Sequence, residues 1–219
     1  MCGIVGFCNF KKDFTNEANK KSCINILDKM RKSISRRGDD ANGIYLSECV
    51  GLGHARLSIR DLSENGTQPI TKNLGHLDSG LEYTIIYNGE IYNTAKLKKD
   101  LEKKGYVFST TTDTEVILYL FIEYKSACVN MLNGIFAFSI YDKKNENLYL
   151  FRDRLGIKPL FYTIQQETLV FGSEPKALFE HPLINPEINL DSLREVFGVA
   201  PARTMGNGVF KNVYEVKAG

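Results

Sequence analysis

From Cys2 the chain runs straight into Gly3-Ile4-Val5-Gly6-Phe7, an apolar, glycine-punctuated stretch that reads as a strand through Phe10. A strand at the very first residues fixes the amino terminus rigidly. Its glycines let neighbouring backbone approach closely. Beyond Phe10 short apolar runs alternate with amphipathic ones. Thr15 to Ile34 carries Ile24, Leu27, Met30 and Ile34 at helical spacing, and the spacing predicts a helix there. Asn42–Leu46, Val50–Ile59 and the Tyr- and Ile-rich Leu81–Tyr92 read as strands. Asn93–Lys104 reads as an exposed helix closing at Gly105. Thr112-Asp113-Thr114-Glu115 has the form of a helix start, and Val116, Ile117, Leu120, Phe121 and Tyr124 give the helix one apolar face. Ile135–Tyr141 and Asn147–Arg152 flank a polar turn, which is a hairpin pattern. Further strands are expected near Leu160–Ile164 and Thr168–Gly172, and helices near Pro175–Glu180 and Asp191–Phe197. Many strands with several covering helices imply a layered α+β domain. Pattern alone leaves open whether the strands form one sheet or two.

Composition narrows the function classes. The 219 residues carry 28 basic and 26 acidic side chains, a net charge of +2. That balance points to neither a nucleic-acid partner nor a membrane surface. No apolar run reaches the roughly 18 residues of a membrane helix, and Lys11 and Lys12 interrupt the first apolar stretch too early for a secretory signal. A cytoplasmic protein is the expectation. Five scattered cysteines (Cys2, Cys8, Cys23, Cys49, Cys128) are then expected to be free thiols. Neither they nor the three distant histidines have metal-ligand spacing, so no metal site is expected. After Asn185 the chain becomes richer in proline and glycine. It reads as a domain over residues 1–200, with 201–219 starting a linker that continues past Gly219.

The chemistry concentrates at the amino terminus. An initiator Met is normally trimmed before a small residue, which gives Cys2 a free α-amine. An amine titrating near ~7.7–8.0 beside a thiol titrating near ~8.5 supplies base and nucleophile from one residue. Taken alone, a second-position cysteine is more often a small buried hydrophobe. Acyl transfer also needs oxyanion donors and a grip on substrate. Asn88-Gly89-Glu90 offers a side-chain amide and a backbone N–H, although Asn-Gly by itself reads as a hairpin turn. Arg56, flanked by apolar residues, requires a carboxylate, from the protein or from a substrate. Asp113 either caps its helix or holds a substrate ammonium.

These residues together resemble the class II glutamine amidotransferase domain, an N-terminal-nucleophile hydrolase. The resemblance is carried, in order, by Met1-Cys2-Gly3-Ile4-Val5-Gly6, Arg37-Gly38, Gly53-His54-Ala55-Arg56-Leu57-Ser58-Ile59, Gln68-Pro69, Tyr87-Asn88-Gly89-Glu90-Ile91-Tyr92-Asn93 and Thr112-Asp113-Thr114-Glu115-Val116-Ile117. Each piece is weak, and the ordered set is specific. Within the class, Arg152-Asp153-Arg154-Leu155-Gly156-Ile157-Lys158-Pro159-Leu160-Phe161-Tyr162 and Phe171-Gly172-Ser173-Glu174 are similar to segments of the glutamine-hydrolysing asparagine synthetases.

The resemblance implies a four-layer α-β-β-α sandwich of two antiparallel sheets. It implies that Cys2 attacks the side-chain amide of L-glutamine, that Asn88 and the Gly89 amide form the oxyanion hole, and that Arg56 binds the α-carboxylate. Asp113, helped by Glu90, would bind the α-ammonium, and Leu57, Ser58, Ile59 and Arg60 would line the pocket. It also implies a partner: a synthetase domain of the same polypeptide, with ATP and Mg2+ needed only there and no cofactor in this chain. A homodimer is compatible. Two departures stand out. Asp39 replaces the proline that usually follows Arg-Gly, which frees φ and restores a donor, and Pro175 replaces an aliphatic residue. Rival readings are a glutaminase domain serving a sugar phosphate or phosphoribosyl diphosphate acceptor, an amidase for other γ-glutamyl compounds, and a non-catalytic interaction domain of the same fold.

Overall fold

The structure, a computed structural model, describes residues 2–57, 66–73, 81–198 and 209–219. Its strands pair antiparallel throughout and fall into two sheets. One runs in the order β10 (Tyr214–Glu215), β8 (Phe161–Gln165), β9 (Thr168–Gly172), β1 (Gly3–Cys8), β3 (Val50–Arg56), β2 (Ala41–Leu46). The other runs β4 (Ile70–Asn73), β5 (Glu82–Ile91), β6 (Gly134–Asp142), β7 (Asn147–Arg152). Two of these strands, β4 and β10, have no counterpart in the sequence pattern, being edge strands of four and two residues. The hairpin that turns at Asn145 is as expected, joining β6 to β7 in register Asp142↔Asn147.

Strand alternation sorts the side chains into three cores. Val5 and Phe7 of β1 point outward with Val170 and pack on Leu27, Met30 and Ile34 at the inner side of α1 (Glu17–Ser33) and on Leu178 of α4 (Pro175–Leu178). Ile4, Val50 and Leu52 point the other way and meet Ile86, Ala137 and Tyr141 of the second sheet. The outer face of that sheet, with Ile85, Phe136, Phe138 and Ile140, is covered by Leu97 and Leu101 of α2 (Thr94–Lys103) and by Val116, Ile117 and Leu120 of α3 (Asp113–Tyr124). Helix, sheet, sheet, helix is therefore the layer order, and each large apolar side chain removed from water contributes roughly 1.5–3 kcal/mol.

Two helices depart from the simple periodic reading. In α1 the inward row is Cys23, Leu27, Met30 and Ile34, while Ile24 is exposed. In α3 the first nine residues, Asp113 to Phe121, are all buried rather than one face of them. The reason is a third cover: Tyr106 and Phe108 fold over Tyr119, with ring centroids 5.0 and 5.1 Å away. Pro175 falls in the first turn of α4, where its missing N–H costs nothing. A fifth helix, α5 (Leu190–Gly198), follows. Within residues 209–219, the described part of the segment read as a linker, Tyr214 and Glu215 pair with β8, and Val216 donates its amide to Leu160 O at 2.8 Å.

Candidate active site

Cys2 heads β1, the strand flanked on both sides by β3 and β9. It shares parity with Ile4, so its side chain faces the second sheet. The thiol sits against the end of β3: Leu57 N–H donates to Sγ at 3.4 Å, and Sγ lies 3.5 Å from Leu57 O. Burial pushes this thiol above its ordinary value, while the Leu57 amide, the chain's amino terminus and the Arg56 guanidinium pull it back and Asp113 pushes it up. The other four thiols are buried and free; burial pushes Cys8 and Cys128 to about 12, which makes them inert.

Arg56 ends β3. Register places Gly3 opposite Ala55, so Cys2 and Arg56 are level on adjacent strands. Only 6 % of Arg56 is exposed, and its surroundings explain the nearby glycines. A Cβ at Gly66 would fall 2.5 Å from Arg56 Nη2, and one at Gly38 would fall 2.3 Å from the Arg56 carbonyl carbon. Asp40 N–H donates to Arg56 O at 3.0 Å, so the segment that begins with Asp39 is tied to the end of β3.

The Asn88-Gly89 pair is not a turn. It lies inside β5, with Asn88 opposite Ala137 and Gly89 opposite Phe136. A Cβ at Gly89 would lie 2.3 Å from Ile135 O and 2.8 Å from the Tyr87 ring, so close packing of β5 on β6 explains the glycine. Asn88 shares parity with Ile86 and faces the first sheet. It is 1 % exposed, and its Nδ2 has no hydrogen-bond partner among the described residues. A buried amide donor left unpaired costs about 1–3 kcal/mol. The two sheets are locked in height beside it: His54, opposite Ile4 on β3, donates from Nε2 to Tyr87 O at 3.1 Å. A carbonyl only accepts, so that bond fixes the tautomer as Nε2–H and ties β5, one residue before Asn88, to the first sheet.

Asp113 does not cap α3. The cap is Thr112, whose Oγ1 accepts from Glu115 N at 3.4 Å. Thr112 wins because the cap residue precedes the first helical turn, and Asp113 is already inside it. The Asp113 carboxylate points to the end of β5 instead, where Oδ2 accepts from Tyr87 O–H at 2.7 Å and from Ile91 N–H at 3.1 Å. Glu115, fully buried, fastens the same helix end: it accepts from the Ser109 and Thr110 amides and pairs with Lys72 at 2.5 Å. Those donors hold its carboxyl down at about 2 against the cost of burial.

The structure thus brings Cys2, Arg56, Leu57, Asn88, Gly89, Glu90 and Asp113 to one end of the sandwich. Ser58, Ile59 and Arg60 lie outside the described residues. Residues to which the sequence reading gave no role stand beside them. Gln68 Oε1 accepts from Tyr87 N at 2.6 Å and Gln68 Nε2 donates to Thr114 Oγ1 at 3.2 Å, joining β5 to α3. Lys158 is buried, and burial and Arg37 pull its ammonium below the ordinary value, while Cys2, Asp153 and Glu90 pull it up. Its backbone is set by Asp153, which accepts from the Lys158 and Phe136 amides at 3.0 and 3.2 Å. Arg37, Gln68, Tyr87 and Lys158 all belong to the quoted motifs, and that was the available signal. Among the described residues no cluster of His, Cys, Asp and Glu could hold a metal ion, and no helix is long and apolar enough to cross a membrane.

This arrangement of layers is that of known amidotransferases. The glutamine phosphoribosylpyrophosphate amidotransferase of Bacillus subtilis superposes on 81% of this chain with a TM-score of 0.66 at 20% identity, covering 43% of that chain. The chain belongs to the glutamine amidotransferase domain family, whose model matches residues 1–219. Among curated relatives, asparagine synthetase [glutamine-hydrolyzing] 3 of Bacillus subtilis is 43% identical over 217 residues, and an amidase, chry2, of Gibberella zeae is 33% identical over 216. The matches span 99% and 96% of this chain but only 34% and 31% of those relatives.

Proposed function

We propose that this chain hydrolyses L-glutamine to glutamate and ammonia, and that the ammonia serves an asparagine-forming synthetase domain in a longer polypeptide. The observation that carries the first half is the buried Nδ2 of Asn88, which has no hydrogen-bond partner among the described residues and lies on the face of β5 turned toward the sheet that Cys2 heads. A buried amide donor kept without a partner is what an oxyanion hole is before substrate arrives. The second half rests on the relatives' names and on the Arg152–Tyr162 motif.

The thiol gives its proton to the α-amine freed by loss of Met1, and sulfur attacks the side-chain amide carbon. The carbonyl oxygen becomes an anion that Asn88 Nδ2 and the Gly89 N–H stabilise. Collapse breaks the C–N bond, the protonated amine donates to the leaving nitrogen, and ammonia departs, leaving a γ-glutamyl thioester. Water, its proton taken by the same amine, then hydrolyses the thioester to glutamate and regenerates the thiol. Arg56 pairs with the α-carboxylate, and Asp113, with Glu90, holds the α-ammonium; Leu57, Ser58, Ile59 and Arg60 line the pocket. No step draws on a cofactor; ATP and Mg2+ belong to the synthetase reaction. The domain occupies residues 1–200 and works in the cytoplasm.

The experiment is a coupled assay for glutamate and ammonia on the trimmed protein and its Cys2→Ala variant. Equal release of both products, lost in the variant, is the expected result. Activity that survives the substitution would remove Cys2 from the mechanism.

A further inference from the structure

Tyr87 is the residue immediately before the oxyanion donor, and each of its three polar groups is held by a different segment of the chain. Its N–H donates to Gln68 Oε1 at 2.6 Å, its carbonyl accepts from His54 of β3 at 3.1 Å, and its phenol donates to Asp113 of α3 at 2.7 Å. Alternation along β5 sends the Asn88 side chain toward the first sheet and the Tyr87 side chain toward α3. The ring is 3 % exposed and lies against Gly89, which has no Cβ to displace it. A carboxylate only accepts, so the phenol is the donor. Tyr87 and the Ile91 amide fall on the same oxygen of Asp113, Oδ2. Two donors on one oxygen fix the plane of the carboxylate and the heading of Oδ1.

We infer that Tyr87 is a specificity-determining positioning residue, which orients Asp113 so that the site selects γ-amides bearing an α-ammonium over the same amides without one. The inference rests on the glutaminase reading. Arg56 sits on another strand, so recognition of the α-carboxylate does not depend on the phenol. Removing the hydroxyl while keeping the ring deletes one hydrogen bond to a buried carboxylate and leaves the packing against Gly89 in place. Asp113 then turns more freely, and the loss falls on substrates that use it.

The test compares steady-state hydrolysis of L-glutamine with that of 5-amino-5-oxopentanoate, which is glutamine lacking the α-amino group, by the trimmed parent chain and by Tyr87→Phe. The parent is expected to favour glutamine strongly. In Tyr87→Phe, kcat/KM for glutamine is expected to fall about tenfold, chiefly through KM, a size in keeping with loss of a hydrogen bond to a charged group. The value for the desamino analogue is expected to stay within about twofold, because the lost bond serves only the ammonium. Equal falls on both substrates would assign Tyr87 a general structural role, and no change on glutamine would deny it any role; either overturns the inference. A parent that hydrolyses the analogue as well as glutamine overturns it without any variant. A parent that does not hydrolyse glutamine at all brings down the glutaminase reading and this inference together, which separates the two failures.

Discussion

At the scale of single residues, the site divides its work between groups that meet charge as it develops and groups that hold the substrate. Asn88 is of the first kind. Asn88→Ala is expected to lower kcat by about 100- to 1,000-fold with little change in KM, as for other oxyanion donors. A rise in KM at constant kcat would move Asn88 to the substrate grip. Arg56 is of the second kind. Its planar fork matches a carboxylate in a way a lysine ammonium does not, so Arg56→Lys is expected to raise KM for glutamine at least tenfold, a loss of about 1.4 kcal/mol, with kcat far less changed. Unaltered KM would mean that the Arg56 side chain serves contacts within the protein, such as those to Thr67 and Gly66, and does not hold substrate. For the thiol, the direction of its shift has a consequence. With Met1 in place burial holds Cys2 above its ordinary value, so alkylation by iodoacetamide is expected to be slow at pH 7 and to climb steeply above pH 9. Trimming Met1 brings the amine to Cys2 and is expected to speed the reaction at neutral pH.

At the scale of elements, the first turn of α3 and the middle of β5 are what must not move. Glu115, with its cluster of donors, fixes the former. Glu115→Gln is expected to destabilise the domain by about 3 kcal/mol, since it strands the Lys72 ammonium, and to raise KM for glutamine because Asp113 rides on the same turn. Chemical unfolding and kinetics on one preparation check both. The carboxyl of Glu115 is depressed, so this stabilisation is present above the ordinary 4.5 and is lost as pH falls toward about 2. Much of this scaffold was legible in the sequence. The strand at Cys2, the two-strand hairpin ending at Arg152 and the helix opening at Thr112 all follow from period and punctuation. Where local pattern left two readings open, long-range packing decided. Asn-Gly by itself reads as a turn, and pairing with Ala137 and Phe136 makes it part of the strand expected over Leu81–Tyr92. Asp113 looks like a cap, and only the arrival of Tyr87 and Ile91 from β5 gives its carboxylate another task. Ile24 fits the helical stripe, yet Cys23 faces inward, because a one-residue rotation of α1 is invisible without its sheet.

At the scale of the whole molecule, the layers bury groups that prefer to be charged in acid: His54 between the two sheets and His181 against Phe7 on the outer side of the first. His54 and His181 are each pushed down to about 4, by burial above all. A histidine held neutral in the fold binds its proton more readily when unfolded, so stability is full above the ordinary 6.5 and declines as pH falls toward 4. For fully buried His54 that decline totals about 3 kcal/mol. Urea unfolding at pH 7 and pH 5 is expected to show it, and His54→Gln, which keeps a donor for Tyr87 O, is expected to flatten the slope; an unchanged slope would locate the titration elsewhere. The central claim concerns Cys2, and intact mass before and after incubation with a diazo-ketone analogue of glutamine tests it most directly. The expected result is a starting mass lacking one methionine, then a single stoichiometric adduct that Cys2→Ala abolishes. A trimmed chain that forms no adduct, or an adduct that survives the substitution, would contradict it.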